Sequence, residues 1–476
     1  MNASFLRGRV RPGPCRTSRV ATSERAAGRT TAPPPLPVGP LTSRLPAPAS
    51  RVSAWESVGK VAEGGFPACA PGDDYAKGLA AVGSWLATPE GRECVAVHAR
   101  EDRNRNRRDA RRDARYERQR ALWPLLPEAM RKCHRVRFNR AGVQVVVDVN
   151  GAARVEGLCS CHRRSGCPHC MPALLARDAE LVNAMVERHG YDRTLMATFT
   201  MRHHAGCSLR ALRQGLACAF QDVRRHRIWR AFRQTHGVRT IRVVEVTHGR
   251  NGWHVHLHVL LLTNEPIAGT QGDDLRRMVA RLWQRCVTQR MGARHRPTIA
   301  RGVKLTQCYR ADYLTKLGLE IADAAQSKVG RGKGRTYEQL ARDWIAAGRD
   351  VQSRDARLIR EFIDGMAGAK IVTWDHGMKA EAEALAPERK AEPRESAATH
   401  AEEYDAIRDR VIEAGEGRVV DGRVFVLRAA ESAREGDVQA AVDEAVGRIL
   451  REGVRVGDAN AQARPGLHRA RAGPAP

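Results

Sequence analysis

Residues 238–263 read VRTIRVVEVTHGRNGWHVHLHVLLLT, and this run decides the fold. Val238 to Thr247 and Trp253 to Thr263 are rich in β-branched and apolar residues. Gly249 to Gly252 between them has the composition of a tight turn. A strand alternates its side chains, so His254, His256 and His258 stand in a row on one face while Val255, Leu257 and Val259 pack behind. Glu245 lies in the apolar partner strand, where an unpaired carboxylate is costly. An even-numbered turn brings Glu245 to the histidine face. A four-residue loop over 249–252 sets it opposite His256, a two-residue loop sets it opposite His258, and an odd loop sends it to the other side.

The flanking sequence extends this hairpin into a sheet. Thr194 to Met201 (TLMATFTM) reads as a strand. Ser208 is placed to N-cap a long helix with Leu209, Leu212, Leu216, Phe220 and Val223 on one stripe. The opposite side of that helix carries Arg210, Arg213, Arg224, Arg225 and Arg227, a candidate DNA-binding surface. A helix from about Asp273 to Arg290 follows, then a strand near Thr298 to Leu305 and a helix containing Tyr309 and Tyr313. The order β-α-β-β-α-β predicts an α+β, ferredoxin-like split βαβ with an antiparallel sheet, one face covered by helices and the other open. The histidines sit on its central hairpin.

Outside this region the reading is coarser. Residues 1–55 are expected to be a disordered tail, and 56–130 a helical, basic region. Residues 131–190 form a cysteine-rich element, with a strand at Val143 to Val149, a turn at Asn150-Gly151 and a helix near Pro172 to Glu187. The main domain spans 191–378 and includes a basic, Gly-rich loop at Lys328 to Arg335. Helices are expected at Tyr337 to Ala347 and Asp355 to Met366, with Val372-Thr373-Trp374 closing the domain. Residues 379–400 read as a charged linker, and 401–476 as a small accessory region and tail. The run Glu101 to Arg120 mixes Arg with Asp and Glu, and ion pairs along a helix are its expected use.

The chain has 476 residues and a formal net charge of +28, which favours a polyphosphate partner. No apolar run reaches the length of a membrane span. Twelve cysteines, four of them clustered, do not form a secreted disulfide framework and fit a reducing cytoplasm.

Three constellations carry chemistry. Imidazoles spaced i, i+2 on a rigid strand grip one cation, so His256 and His258 with Glu245 make an open site suited to Mn²⁺ or Mg²⁺. His254 is expected at its rim, and His203, His204 and His248 as surface or DNA-facing residues. Tyr309 and Tyr313 lie one helical turn apart, and Lys316 joins their face. A phenol with an ordinary pKa of about 10 needs a cation or ammonium nearby to act as a nucleophile. Cys159, Cys161, Cys167 and Cys170 have the spacing of a structural Zn²⁺ site. The two pairs approach closely, which leaves His162, His169 or Cys133 open as a substitute for one ligand.

These residues together resemble plasmid rolling-circle replication initiators of the HUH endonuclease superfamily, particularly the actinobacterial plasmid type. Their first motif is similar to Thr198-Phe199-Thr200. The second is similar to Glu245-Val-Thr through Asn251-Gly-Trp-His254-Val-His256-Leu-His258-Val-Leu-Leu, and the third to Tyr313-Leu-Thr-Lys316. A cysteine element like Cys161-x5-Cys167-Pro-x-Cys170 precedes the nuclease in that family. The Tyr337 to Met378 segment looks like the family's C-terminal end. The resemblance covers about Val143 to Met378. It implies metal ligands at His256 and His258, a nucleophile at Tyr313, and an enzyme that nicks and rejoins one DNA strand. Tyr309 adds a two-tyrosine pattern like that of some phage initiators. The implied partners are a plasmid origin, single-stranded or hairpin, with a host helicase and polymerase, and no membrane.

Overall fold

In a computed structural model of the chain, the residues described are 88–138, 140, 142–308, 334–386, 392–413 and 419–455. The expected N-terminal tail, the tyrosine helix with Tyr309, Tyr313 and Lys316, nearly all of the Gly-rich loop and the last 21 residues lie outside them. The chain divides into two units, Met1–Arg108 and Asp109–Pro476. In the first, the described residues belong to the start of helix α1 (Pro89–Leu122). Everything below concerns the second.

That unit is α+β with three antiparallel sheets. Strands β1 (Val143–Asp148) and β2 (Ala153–Glu156) form the first hairpin, followed by helix α2 (Cys170–His189). Strand β3 (Thr194–Phe199) leads into α3 (Leu209–Arg225) and α4 (Arg227–Thr235). Strands β4 (Arg239–Gly249) and β5 (Gly252–Leu262) are the histidine hairpin, and α5 (Gly269–Met291) and β6 (Val303–Gln307) follow. Helices α6 (Tyr337–Ala346) and α7 (Arg354–Gly365), strand β7 (Val372–Trp374) and helix α8 (Met378–Leu385) come next. Strands β8 (Pro393–Thr399), β9 (Arg410–Glu413) and β10 (Val419–Asp421) and helices α9 (Gly422–Ser432) and α10 (Val438–Glu452) follow, with a short helix at Ala401–Ile407 and a last strand at Val454–Arg455.

The main sheet has the order β6-β3-β5-β4-β7. Its first four strands lie in the order that a split βαβ unit imposes, with β5 between β3 and β4. Ser208 caps α3 as its sequence requires, accepting from the Ala211 amide at 3.3 Å. Leu209, Leu212, Leu216, Phe220 and Val223 are all buried, packing with Val255, Leu257, Val259 and Leu261 of β5. The period of 3.6 on α3 meets the period of 2 on β5, and both stripes leave water together.

Four expectations need correction. The strand expected at Thr298 to Leu305 begins as a helical turn, Ile299–Gly302, because Thr298 caps it by accepting from the Arg301 amide at 3.2 Å. The second sheet face is not wholly open. Leu260 and Leu262 of β5, with Met196, Ile241 and Val243, pack under Leu181, Val182, Met185 and Val186 of α2 and Met378 and Ala382 of α8. Only the histidine half of that face lies outside this second core. The charged linker at 379–400 contains α8 and β8, and β8 pairs along the whole of β1. Residues 143–156 and 393–455 therefore share one core, built on Val145, Val147, Ala153, Ala397, Val424, Leu427, Val442 and Ile449. The cysteine-rich segment and the C-terminal region are not separate domains.

Helix α1 from Asp109 onward is laced with ion pairs, as its mixed charges suggest. They run mainly to distant elements: Arg112 pairs with Asp113 and Glu431, Arg118 with Glu338, and Arg428 with Asp113. Asp421 and Arg423 form a fully buried pair at 2.8 Å, and the guanidinium also lies 4.7 Å from the Tyr116 ring centre. No helix among the described residues is long and apolar enough to cross a membrane.

Candidate metal centres

The hairpin turn is Arg250-Asn251, with Gly249 still paired to Gly252. Gly252 sits in the left-handed region at φ +83°, and a Cβ there would meet the Ala205 Cα at 2.9 Å. Only glycine satisfies both demands without strain. This two-residue turn sets Glu245 opposite His256, not His258, because it is centred on 250–251. The same register puts Thr247 opposite His254 and Thr198 of β3 opposite His258.

The outcome is a three-residue donor set. Glu245, His256 and His258 hold ligand atoms within 4.8 Å of one another. His258 is buried, with Nε2 2.8 Å from Glu245 Oε2 and Nδ1 3.2 Å from Thr198 Oγ1. His256 Nδ1 lies 3.8 Å from the same carboxylate oxygen. Its Nε2 lies 2.8 Å from His254 Nδ1, and the His254 ring stacks on His203 at 4.5 Å.

Burial opposes ionisation of Glu245, but the hydrogen bond from His258 and the neighbouring imidazoles outweigh it and hold the carboxyl below its usual range. Burial pushes His256 down against the pull of Glu245, and pushes His254 down to about 3, helped by His256 and His203. A carboxylate beside neutral imidazoles is the protonation state that a divalent cation requires. His258 Nε2 faces the Glu245 carboxylate as a hydrogen-bond donor, and Nδ1 faces the Thr198 hydroxyl. A cation would replace the Nε2 proton, and Thr198 would then accept from Nδ1–H and fix the ring. The donor set could hold a divalent cation, with coordination positions left for water.

The second centre differs from expectation in one ligand. Cys133, Cys161, Cys167 and Cys170 converge with their sulfurs within 4.8 Å. Cys159 is outside this group, its Sγ 3.5 Å from the Arg137 carbonyl. The cause is a short antiparallel ribbon. The His134 amide donates to Cys159 O, Cys159 to Val136 O, and Phe138 to Gly157 O, each at 2.7–2.8 Å. That ribbon folds Cys133 back over Cys161, although 28 residues separate them. Cys133 and Cys170 sulfurs lie 3.4 Å apart, and the Cys161 and Cys170 amides point at Cys133 and Cys167 sulfurs, each at 3.4 Å.

Such crowding splits the thiols. Contacts from the other three push Cys170 far down, and contacts from Cys161, Cys167 and Cys170 push Cys133 far up. A cation of zinc's kind would remove this conflict by letting all four ionise. His169 is not a ligand. It is buried, its Nε2 3.2 Å from Gln119 Oε1, and the same Gln119 amide donates to Met130 O and Cys133 O. It braces the Cys133 turn.

The arginines are not brought to the histidines. α3 packs on the apolar side of β5, the reverse of the histidine face. Arg210 and Arg213 donate to the Asp364 and Gly365 carbonyls, each at 2.8 Å, and Arg224 pairs with Asp375 at 2.8 Å. Arg225 and Arg227 are exposed. Lys304, exposed on β6 and paired in register with Thr198, stands on the histidine face. A charge in a strand assigned with the wrong start carried no signal in the sequence. His248, expected at the surface, is buried edge-on against Trp253 at 4.8 Å.

Compared with models of known families, with curated proteins and with solved structures, the chain matches none.

Proposed function

We propose that the chain is an HUH-type single-strand DNA endonuclease and strand transferase that initiates rolling-circle replication at a plasmid origin. The observation that supports this most is the convergence of Glu245, His256 and His258 on one face of an antiparallel sheet, outside the second core formed by the described residues. In this reading the five-stranded sheet is a ferredoxin-like HUH core. Tyr313 is the nucleophile, with Tyr309 as a second phenol and Lys316 favouring the phenolate.

These three residues lie outside the described structure, but their attachment point is compatible with the role. The Cys308 amide donates to Thr194 O, four residues along β3 from Thr198, which touches His258. Four strand residues span about 13 Å, within reach of the four residues that link Cys308 to Tyr313 and a tyrosine side chain.

The phenolate oxygen attacks a backbone phosphorus, the O3′–P bond breaks, and the chain keeps a 5′-phosphotyrosine while a 3′-OH is freed. The phosphoester energy is retained, so the step reverses to rejoin strands. A divalent cation held by His256, His258 and Glu245 would polarise a phosphate oxygen and absorb charge as the bond breaks. The cysteine centre stabilises the segment ahead of the nuclease, and the net charge of +28 supports backbone binding. The protein would work in the cytoplasm with a host helicase and polymerase.

The test incubates supercoiled origin DNA with the full chain and Mn²⁺ or Mg²⁺. Wild type should nick and form a covalent protein–DNA adduct, and Tyr313→Phe should bind without nicking. Wild type that binds but never forms an adduct would instead be a zinc-stabilised nucleic-acid-binding regulator. Specific nicking of terminal hairpins alone would favour a transposase, and of a transfer origin a relaxase.

A further inference from the structure

The loop between β3 and α3 meets the short turn Ala293–His295 ahead of β6, and there a third group of ligand atoms gathers. His204, Cys207 and His295 hold theirs within 4.8 Å of one another. We propose that these residues bind one additional transition-metal ion, with zinc the expected occupant, separate from the cysteine centre and from Glu245, His256 and His258.

His204-Ala-Gly-Cys207 has the i, i+3 spacing of Cys167 and Cys170. Its turn is closed by the Cys207 amide donating to His204 O at 3.0 Å, which swings both side chains to one side. His295 is held from the opposite direction. Its Nδ1 lies 2.8 Å from Arg202 O, and the Arg202 amide donates to His295 O at 3.1 Å. That carbonyl fixes the proton on Nδ1 and leaves the Nε2 lone pair for a metal, the arrangement that commonly orients a ligating histidine. The His204 and His295 rings lie face to face at 6.1 Å.

Two imidazoles and a thiolate select a softer ion than the carboxylate-containing site does. Three protein ligands leave a fourth tetrahedral position for water. Ligand atoms around zinc stand about 3.5 Å apart, so closing the site needs a shift of about an ångström, which the exposed His204 side chain can supply. The ion would pin the loop whose His203 stacks on His254, and so would brace the histidine row from its outer end. None of this requires the nuclease reading.

The experiment measures zinc bound per full-length chain after dialysis for wild type, Cys207→Ser and His295→Ala, together with alkylation of Cys207 in wild type with and without zinc. Each variant should hold one equivalent less than wild type, with the cysteine centre still loaded. Zinc should slow Cys207 alkylation about tenfold or more. Equal zinc content in all three proteins, or Cys207 alkylation indifferent to zinc, overturns the site. Should Cys207→Ser fail to fold, the His295→Ala content and the wild-type alkylation decide.

Discussion

Cys133 and Cys159 show how far a single residue can be read. Cys159 has the attractive spacing, yet its sulfur faces a carbonyl while Cys133 completes the four-thiol group. Cys133→Ser should therefore lose most of the zinc of that centre, whereas Cys159→Ser should retain it, as metal analysis of the purified proteins will show. The second prediction concerns Glu245. Its carboxylate supplies the negative charge of the histidine site, so Glu245→Gln should weaken Mn²⁺ binding about 10- to 100-fold by titration. The zinc of the cysteine centre should stay in place. Loss of both metals together would mean that Glu245 supports the fold instead.

At the scale of elements, the hairpin was legible because its two periods were uninterrupted. Alternation placed three histidines on one face, and the glycines marked the turn. What alternation left open was the register, which Gly252 resolves by its left-handed backbone and its contact with Ala205. Gly252→Ala should cost about 1–3 kcal/mol in denaturant unfolding, whereas Gly269→Ala, with open space around its Cβ direction, should cost less. Helix α3 was equally legible, since Ser208 and a five-residue apolar stripe mark its start and its buried side. On its arginine side, two residues have partners that spacing did not indicate. Exposed arginines on a helix resemble a nucleic-acid surface in any sequence, and only the neighbouring α7 reveals that Arg210 and Arg213 bind its terminal carbonyls.

For the molecule as a whole, the pairing of β1 with β8 overrides the linear division into domains. The two strands lie about 250 residues apart in the chain, and no local pattern encodes a partner at that distance. The buried Asp421–Arg423 pair reinforces this closure, because Arg423 also donates to His134 O beside the cysteine centre at 3.0 Å. Arg423→Ala strands a buried carboxylate and should cost about 3–5 kcal/mol. Its zinc affinity should fall as well, since the Cys133 turn loses a brace. A chain ending at Ala386 should expose β1 and the apolar face of Val145 and Val147, binding a hydrophobic dye strongly. An undisturbed melting curve for that truncation would restore the picture of an independent C-terminal domain.

The amino-acid sequence by itself determined the antiparallel hairpin, the capped helix beside it and the residue types able to hold metal, because these follow from spacing within a dozen residues. Tertiary structure alone decided that Cys133 replaces Cys159, that α2 and α8 cover half of the supposed open face, and that the last sixty described residues pack on the first hairpin. Those outcomes depend on which distant apolar faces meet, and burial of one face against another leaves no periodic trace in either segment.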